Sequence, residues 1–183
     1  MPEEVLVNHC SPTLAGLKTA NMFVCDFASD RELREDMRFW NLRLSERGVR
    51  MLSLRYRHSR ALIYVYRPSM LETDLKNAQA DRLLKEKGYC TDTSDQAIAG
   101  LISRLTANGE FPHEIGLFLG YPPEDVQGFI DHPAEEYKCV GAWKVYGDAA
   151  AAERQFSRFR KCTEIYRLQW AEGKSIERLT VAV

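Results

Sequence analysis

Residues 49–66, VRMLSLRYRHSRALIYVY, decide the fold prediction because two β-forming segments lie on either side of a very short polar break. The first segment alternates at Val49, Met51 and Ser53, which is typical of a half-buried strand. The second segment, ALIYVY, is rich in residues that favour strands. Because only the letters HSR separate the two, we predict an antiparallel hairpin.

The sequence before the hairpin predicts helices. Within residues 29–48, apolar residues recur at helical spacing, and Gly48 provides a stop signal. Further upstream, Ser11 is predicted to be an N-cap, with Pro12 at the first helical position. These signals predict a helix over residues 12–22.

After the hairpin, helical patterns alternate with strand-like segments. The predicted strands are residues 115–120 (IGLFLG), 139–146 and 178–183, and a long helix is predicted to begin after Asp148. We therefore predict one α/β domain over residues 1–183, with α+β as the alternative class. We expect one mixed sheet of about five strands that is covered by helices. It includes the antiparallel hairpin, and its later strands could pair in parallel.

Composition and charge exclude several classes of protein. The chain is 45% hydrophobic and 28% charged, which is typical of a globular protein rather than a disordered one. Its net charge of −1 provides no basic field, so neither nucleic acid nor a membrane surface is a predicted partner.

Cysteine usage and the N-terminal segment bear on the compartment. The five cysteines contain no CxxC pair, so they form no zinc framework, and no metal site is predicted. The N-terminal segment matches neither a signal peptide nor a spanning helix. We therefore expect a cytoplasmic protein with reduced thiols.

The segment HCSPTLAGLK contains a candidate nucleophile. Cys10 immediately precedes the predicted helix start, where the helix dipole would stabilise a thiolate, and His9 is a candidate base. Ser11 and Lys18 are candidate ligand contacts in a small anion-binding pocket. The alternative is that Cys10 is a partly buried thiol beside an ordinary cap.

The segment FPHEIGLFLGYPPEDV contains a second group of candidates. His113 is a candidate base or ligand, and Glu114 and Tyr121 are candidate ligand contacts. A phosphate site is not predicted at the following helix, because Glu124 and Asp125 occupy its first turn and would repel an anion. The alternative is that His113 and Glu114 satisfy local backbone groups.

Arginines surround the predicted hairpin at Arg55, Arg57, Arg60 and Arg67. They are candidates for binding an anionic ligand or an acidic partner. The alternative is a solvated face that is balanced by neighbouring acidic residues.

Three segments, HCSPTLAGLKTANMF, FPHEIGLFLGYPPEDVQGFI and KCVGAWKVYGD, resemble a bacterial family of unknown function, DUF3793, over nearly the whole chain. The resemblance implies a bacterial cytoplasmic protein and assigns no functional residue. The family's motifs contain Cys10, Lys18, His113 and Glu114, which increases interest in these positions.

We favour a small-molecule or cofactor binding module, with a pocket between the Cys10 helix start and residues 113–123. One alternative is a thiol-dependent enzyme or redox protein, in which Cys10 is the nucleophile and His9 or His113 is the base. Another is a structural or assembly protein that contacts a partner through the hairpin. The sequence specifies neither the cofactor or ligand, nor the protein partner, nor the oligomeric state.

Overall fold

The computed structural model describes residues 1–107 and 111–182. Its contacts divide the chain into two units, Met1–Ser69 with Lys161–Val183, and Met70–Arg160. Each unit has its own sheet. The prediction of one domain over the whole chain stays a prediction.

Helices dominate the secondary structure, with 56% of the chain in helices and 15% in strands. In the described residues the helices are α1 (Glu3–Leu14), α2 (Asp30–Leu44), α3 (Pro68–Leu75), α4 (Ala78–Glu86), α5 (Ser94–Thr106), α6 (Ile115–Phe118), α7 (Pro123–Asp131), α8 (Ala149–Ala171) and α9 (Ile176–Leu179). The strands are β1 (Ala20–Asp26), β2 (Arg50–Arg57), β3 (Arg60–Tyr66), β4 (Cys139–Val140) and β5 (Lys144–Val145).

The larger sheet lies in the first unit and has the strand order β1-β3-β2. Strands β2 and β3 form the antiparallel hairpin that the sequence predicts. At its turn, His58 and Ser59 adopt φ angles of 49° and 61°, which match the left-handed conformation that two-residue hairpin loops use. Strand β1 pairs antiparallel with the other side of β3, and its first residues correct the helix predicted over residues 12–22.

The arrangement of the remaining strands corrects the prediction of one mixed sheet. The predicted class, which mixes helices and strands, is confirmed. However, β4 and β5 form a separate small sheet. All strand pairs in the described residues are antiparallel. The predicted parallel strands are missing because residues 115–118 and 176–179 are helical. Residue 183, the last of the predicted final strand, lies outside the described residues.

The apolar segment at residues 115–120 shows why a short buried run is ambiguous. Buried helices and buried strands are both continuously apolar, so periodicity cannot separate them over six residues. In the structure, Gly120 has a φ of 73° and ends the helical turn. A Cβ at Gly116 would lie 2.7 Å from Val126, so this glycine allows α6 and α7 to pack closely.

Helix α1 begins nine residues before the predicted start at Pro12. Pro2 is its N-cap, and Glu3 and Glu4 in its first turn complement the helix dipole. Gly16, with a φ of 71°, follows its end. Pro12 lies in the last turns, so it does not mark a helix start.

The core of the first unit lies between the larger sheet and the helices. Alternate residues of β3, namely Ala61, Ile63 and Val65, face a buried cluster to which α1 and α2 contribute. Helix α1 contributes three fully buried residues to this cluster, Leu6, Cys10 and Leu14. Among residues 1–107 and 111–182, no helix combines the length and the apolar composition that crossing a membrane requires.

Candidate functional site

A cavity of about 380 Å³ lies in the second unit, beside α6, α7 and the β4–β5 hairpin. Aromatic rings dominate its lining, and they come from segments that are distant in sequence. The ring-bearing residues are Phe111, His113, Tyr121, Phe129 and Trp143. We call this site the aromatic cavity.

Ring contacts on two sides hold Trp143 in the wall of the aromatic cavity. Trp143 is 8% exposed, and its ring stacks on Tyr121 with centroids 4.6 Å apart and planes 28° apart. Phe156 meets the same indole edge-on, also at 4.6 Å. Such offset and edge-on contacts add to the stability that apolar burial alone provides. The indole is therefore held before any ligand arrives.

Asp125, in the first turn of α7, fixes the Trp143 indole and the backbone of Tyr146 and Gly147. Its buried carboxylate accepts a hydrogen bond from Trp143 Nε1 and two more from the backbone N–H groups of Tyr146 and Gly147, each 2.7 Å long. Three donors satisfy a buried carboxylate well. The role of Asp125 is thus to fix the wall of the aromatic cavity, in addition to complementing the helix dipole.

Polar groups are few along this cavity. Lys144 Nζ lies 5.6 Å from the Phe129 ring centroid and donates to the Pro133 carbonyl oxygen over 2.6 Å. His113 is exposed and meets Phe129 edge-on at 5.0 Å. Burial raises the pKa of Tyr121 to about 12.

Glu114 binds Tyr89 rather than lining the aromatic cavity. Its buried carboxylate accepts a hydrogen bond from the Tyr89 hydroxyl over 2.8 Å, and Arg104 lies 4.4 Å from the Tyr89 ring centroid. Burial and the hydrogen bond to Glu114 raise the pKa of Tyr89. Glu114 does not line the aromatic cavity, and its place as a ligand contact stays a prediction.

Cys10 lies in the interior of α1 rather than before a helix start, which corrects the basis of the thiolate prediction. Its side chain is fully buried in the first unit. Burial raises the pKa of the thiol, and the opposing influence of Lys18 is smaller. The structure therefore does not support an activated thiolate, and the catalytic roles of Cys10, His9 and His113 stay untested.

The neighbours of Cys10 in sequence have structural contacts. His9 is exposed, and its ring stacks on Phe23 with centroids 5.2 Å apart. Ser11 is buried, and its hydroxyl donates to the Val7 carbonyl oxygen one turn earlier in the helix. Ser11 is therefore not the predicted N-cap.

Lys18 follows α1 and is only 7% exposed. Burial lowers the pKa of its amine from the ordinary value of 10.5 to about 8, and the interaction with Cys10 opposes this shift weakly. The sequence placed Lys18 about two turns after Cys10, too far to act on it directly, but in the structure the two groups influence each other weakly. The charged form of Lys18 is destabilised by the fold.

Stability should therefore rise with pH because of Lys18. Between pH 8 and 10.5 the unfolded chain binds more protons than the folded chain at this position. From pH 7 to pH 9, Lys18 should add about 1 kcal/mol to the free energy of unfolding. We expect this contribution to be absent in Lys18→Met, as measured by urea unfolding at both pH values.

The exposed residue Lys174 provides the control for this experiment, since Lys174→Met changes charge equally without removing a buried amine. The pH dependence of this variant should match that of the unaltered chain. An unchanged pH dependence in Lys18→Met would show that its amine is solvated.

The predicted site residues fall into both units. Cys10, Ser11 and Lys18 belong to the first unit, whereas His113 and Tyr121 line the aromatic cavity of the second. A pocket shared by the Cys10 segment and residues 113–123 stays a prediction. Within the described ranges, no group of three or more His, Cys, Asp or Glu side chains is arranged to hold a metal ion.

The sequence did not group Asp125, Phe129, Trp143 and Lys144 with His113 in one site, although Trp143 belongs to the strand aromatics that could line a pocket for a flat ligand. A signal was present, because Trp143 and Lys144 lie in the segment KCVGAWKVYGD, which is one of the three segments that carry the family resemblance. Their proximity to His113 depends on how the β4–β5 hairpin folds against α7, which no local pattern specifies.

Comparison with known proteins gives one match. The family model described as "Protein of unknown function (DUF3793)" matches residues 6–180. No curated protein and no solved structure matches the chain.

Proposed function

The chain belongs to the DUF3793 family, and we propose that it is a small-molecule binding module whose ligand occupies the aromatic cavity. The observation that carries this proposal is the cavity itself, with its preorganised wall of Tyr121 and Trp143. Ligand sites are typically concave and mostly apolar, with a few placed polar groups and volumes of about 300–1,000 Å³. The aromatic cavity has each of these properties.

The lining supports a flat aromatic ligand that carries an anionic group. Stacked and edge-on rings favour a planar molecule, because ring faces and edges then meet in their preferred geometries. Lys144, at the edge of the cavity, provides a positive charge for a carboxylate. His113 provides a further polar contact at the rim. Asp125 also lines the cavity, but three hydrogen-bond donors offset the charge of its carboxylate. The rings and Lys144 therefore favour an aromatic carboxylate over an aliphatic ligand.

Filling the cavity tests this proposal. Ala142 lines it, and its backbone carbonyl oxygen accepts from the Tyr121 hydroxyl, so Ala142→Leu adds bulk and keeps this hydrogen bond. We use 2-naphthoate as the probe and expect a Kd of about 100 µM for the unaltered chain. Ala142→Leu should weaken binding at least about tenfold, since the larger side chain narrows the cavity that Ala142 lines.

Nuclear magnetic resonance locates the binding. The indole N–H signal of Trp143 should shift on titration, whereas those of Trp40 and Trp170 in the first unit should not. Ala150→Leu, on an exposed position of α8, is the matched control and should bind as the unaltered chain does. Equal binding by both variants, or no shift of the Trp143 signal, would contradict the proposal.

Two predictions from the sequence accompany this proposal. The N-terminal segment and the cysteines predict a cytoplasmic location, and the net charge predicts neither nucleic-acid nor membrane partners. A thiol-dependent activity is the less favoured alternative, because Cys10 is buried and its pKa is raised. A structural or assembly role is the other alternative, and a protein partner is unspecified.

A further inference from the structure

Arg55, Arg57 and Arg60 lie on one face of the larger sheet, at the turn end of the β2–β3 hairpin. Arg57 and Arg60 are direct cross-strand partners, so their side chains project from the same face. Arg55 pairs with Leu62 and lies two residues from Arg57, which places it on that face as well. We call this group the arginine cluster.

The arginine cluster is poorly neutralised by the protein. Like charges in a direct cross-strand pair, as at Arg57 and Arg60, are destabilising. Arg60 Nε lies 3.6 Å from Asp26, but in the part of the chain that the structure describes, no carboxylate lies within 4 Å of Arg55 or Arg57. The cluster with Asp26 therefore carries a net charge of about +2.

A concavity of about 440 Å³ lies over the arginine cluster. Apolar residues of neighbouring strands contribute to it, and Val24 is 48% exposed there beside its register partner Leu62. Guanidinium groups thus surround a small apolar floor. The full lining is Val24, Arg55, Arg57, His58, Arg60, Ala61 and Leu62.

We infer that the arginine cluster binds the phosphate dianion of a small soluble phosphomonoester, whose apolar part rests on Val24 and Leu62. Guanidinium forks bind phosphate oxygens in bidentate geometry. A dianion matches the net charge of the cluster and removes the repulsion between Arg57 and Arg60. The concavity also exceeds what a bare phosphate fills, which is why we infer an organic phosphate. This site lies in the first unit and is independent of the aromatic cavity.

Isothermal titration calorimetry with phenyl phosphate tests the inference. We expect saturable binding by the unaltered chain at low salt, and binding at least about tenfold weaker in Arg55→Gln. Arg55 is exposed, so this substitution should leave the melting temperature unchanged or raised. Arg38→Gln, on an exposed position of α2, makes the same charge change and should bind normally. Equal weakening in both variants would indicate general charge attraction and overturn the inference.

Further ligands identify the source of the phosphate. Inorganic phosphate lacks the apolar part and should bind more weakly than phenyl phosphate. Phenyl sulfate lacks the second negative charge and should also bind more weakly than phenyl phosphate. Vesicles of phosphatidylcholine with phosphatidic acid present the same phosphomonoester on a lipid. Binding to these vesicles without binding of phenyl phosphate would overturn the inference of a soluble ligand.

Discussion

Replacing Arg67 by leucine is expected to lower the free energy of unfolding by about 3 kcal/mol. Arg67 is fully buried in the first unit, and its guanidinium donates hydrogen bonds only to backbone carbonyl groups among the described residues. These acceptors are Thr13 O at 2.6 Å, Leu14 O at 2.7 Å, Arg47 O at 3.3 Å and Val181 O at 2.7 Å.

A leucine at position 67 cannot replace the hydrogen bonds that these backbone carbonyl groups accept from Arg67. A buried ion pair can be replaced by apolar residues when both partners are changed, but backbone carbonyl groups cannot be removed by mutation. The carbonyls of Thr13 and Leu14 retain a backbone donor, which limits the loss. Since Arg67 connects the end of α1 with the segment after α9, both should loosen in the variant.

Urea unfolding of Arg67→Leu measures this loss, with Arg50→Leu as the control. Arg50 is exposed on β2, so the control removes an arginine from the same sheet and should change stability by under about 0.5 kcal/mol. Arg67→Lys retains the charge but not the planar fork, and about half of the loss is expected. If Arg67→Leu were as stable as the control, the buried guanidinium would make no net contribution to the free energy of unfolding.

The position of Arg67 could not be predicted from its neighbours in sequence. It follows β3 directly and was grouped with the arginines of the hairpin, which are exposed. Its burial depends on carbonyl groups that lie between 20 and 114 residues away along the chain. Local patterns contain no information on such contacts, whereas the hairpin itself depends on a turn of adjacent residues.

The features that were predicted correctly all have local causes. The helix predicted within residues 29–48 is α2, whose N-cap Ser29 accepts from the backbone N–H of Glu32, and the predicted stop at Gly48 adopts the left-handed conformation at a φ of 72°. Asp148 accepts from the backbone N–H of Ala151 at the start of α8. Each signal acts within a few residues, so the sequence is sufficient to predict it.

The errors arose where a local signal has two interpretations. A serine and a proline typically start a helix, but Ser11 and Pro12 are also tolerated in the last turns of α1. The earlier start was visible in Pro2 and the acidic first turn. For the aromatic cavity, His113 and Tyr121 were selected from one continuous segment, while Trp143 required knowledge of the tertiary contact with Asp125.

Replacing Asp125 by alanine is expected to lower the free energy of unfolding by about 3 kcal/mol and to abolish 2-naphthoate binding. The variant leaves Trp143 Nε1 and the backbone N–H groups of Tyr146 and Gly147 without their carboxylate acceptor. Buried donors that lose their acceptor cost about 1–3 kcal/mol each before relaxation. The indole would then lose its fixed orientation, so the wall of the aromatic cavity would no longer be preorganised.

Glu124→Ala separates this effect from the helix dipole. Glu124 is exposed and lies in the same first turn of α7, so its removal costs the dipole interaction alone, about 0.5 kcal/mol. Asp125→Asn provides the second comparison, because its amide retains an acceptor oxygen but places an NH₂ group against a donor. We expect its stability to lie between those of the two alanine variants. Equal stability of Asp125→Ala and Glu124→Ala would mean that Asp125 acts only through the dipole, and the aromatic cavity would then owe its shape to ring packing alone.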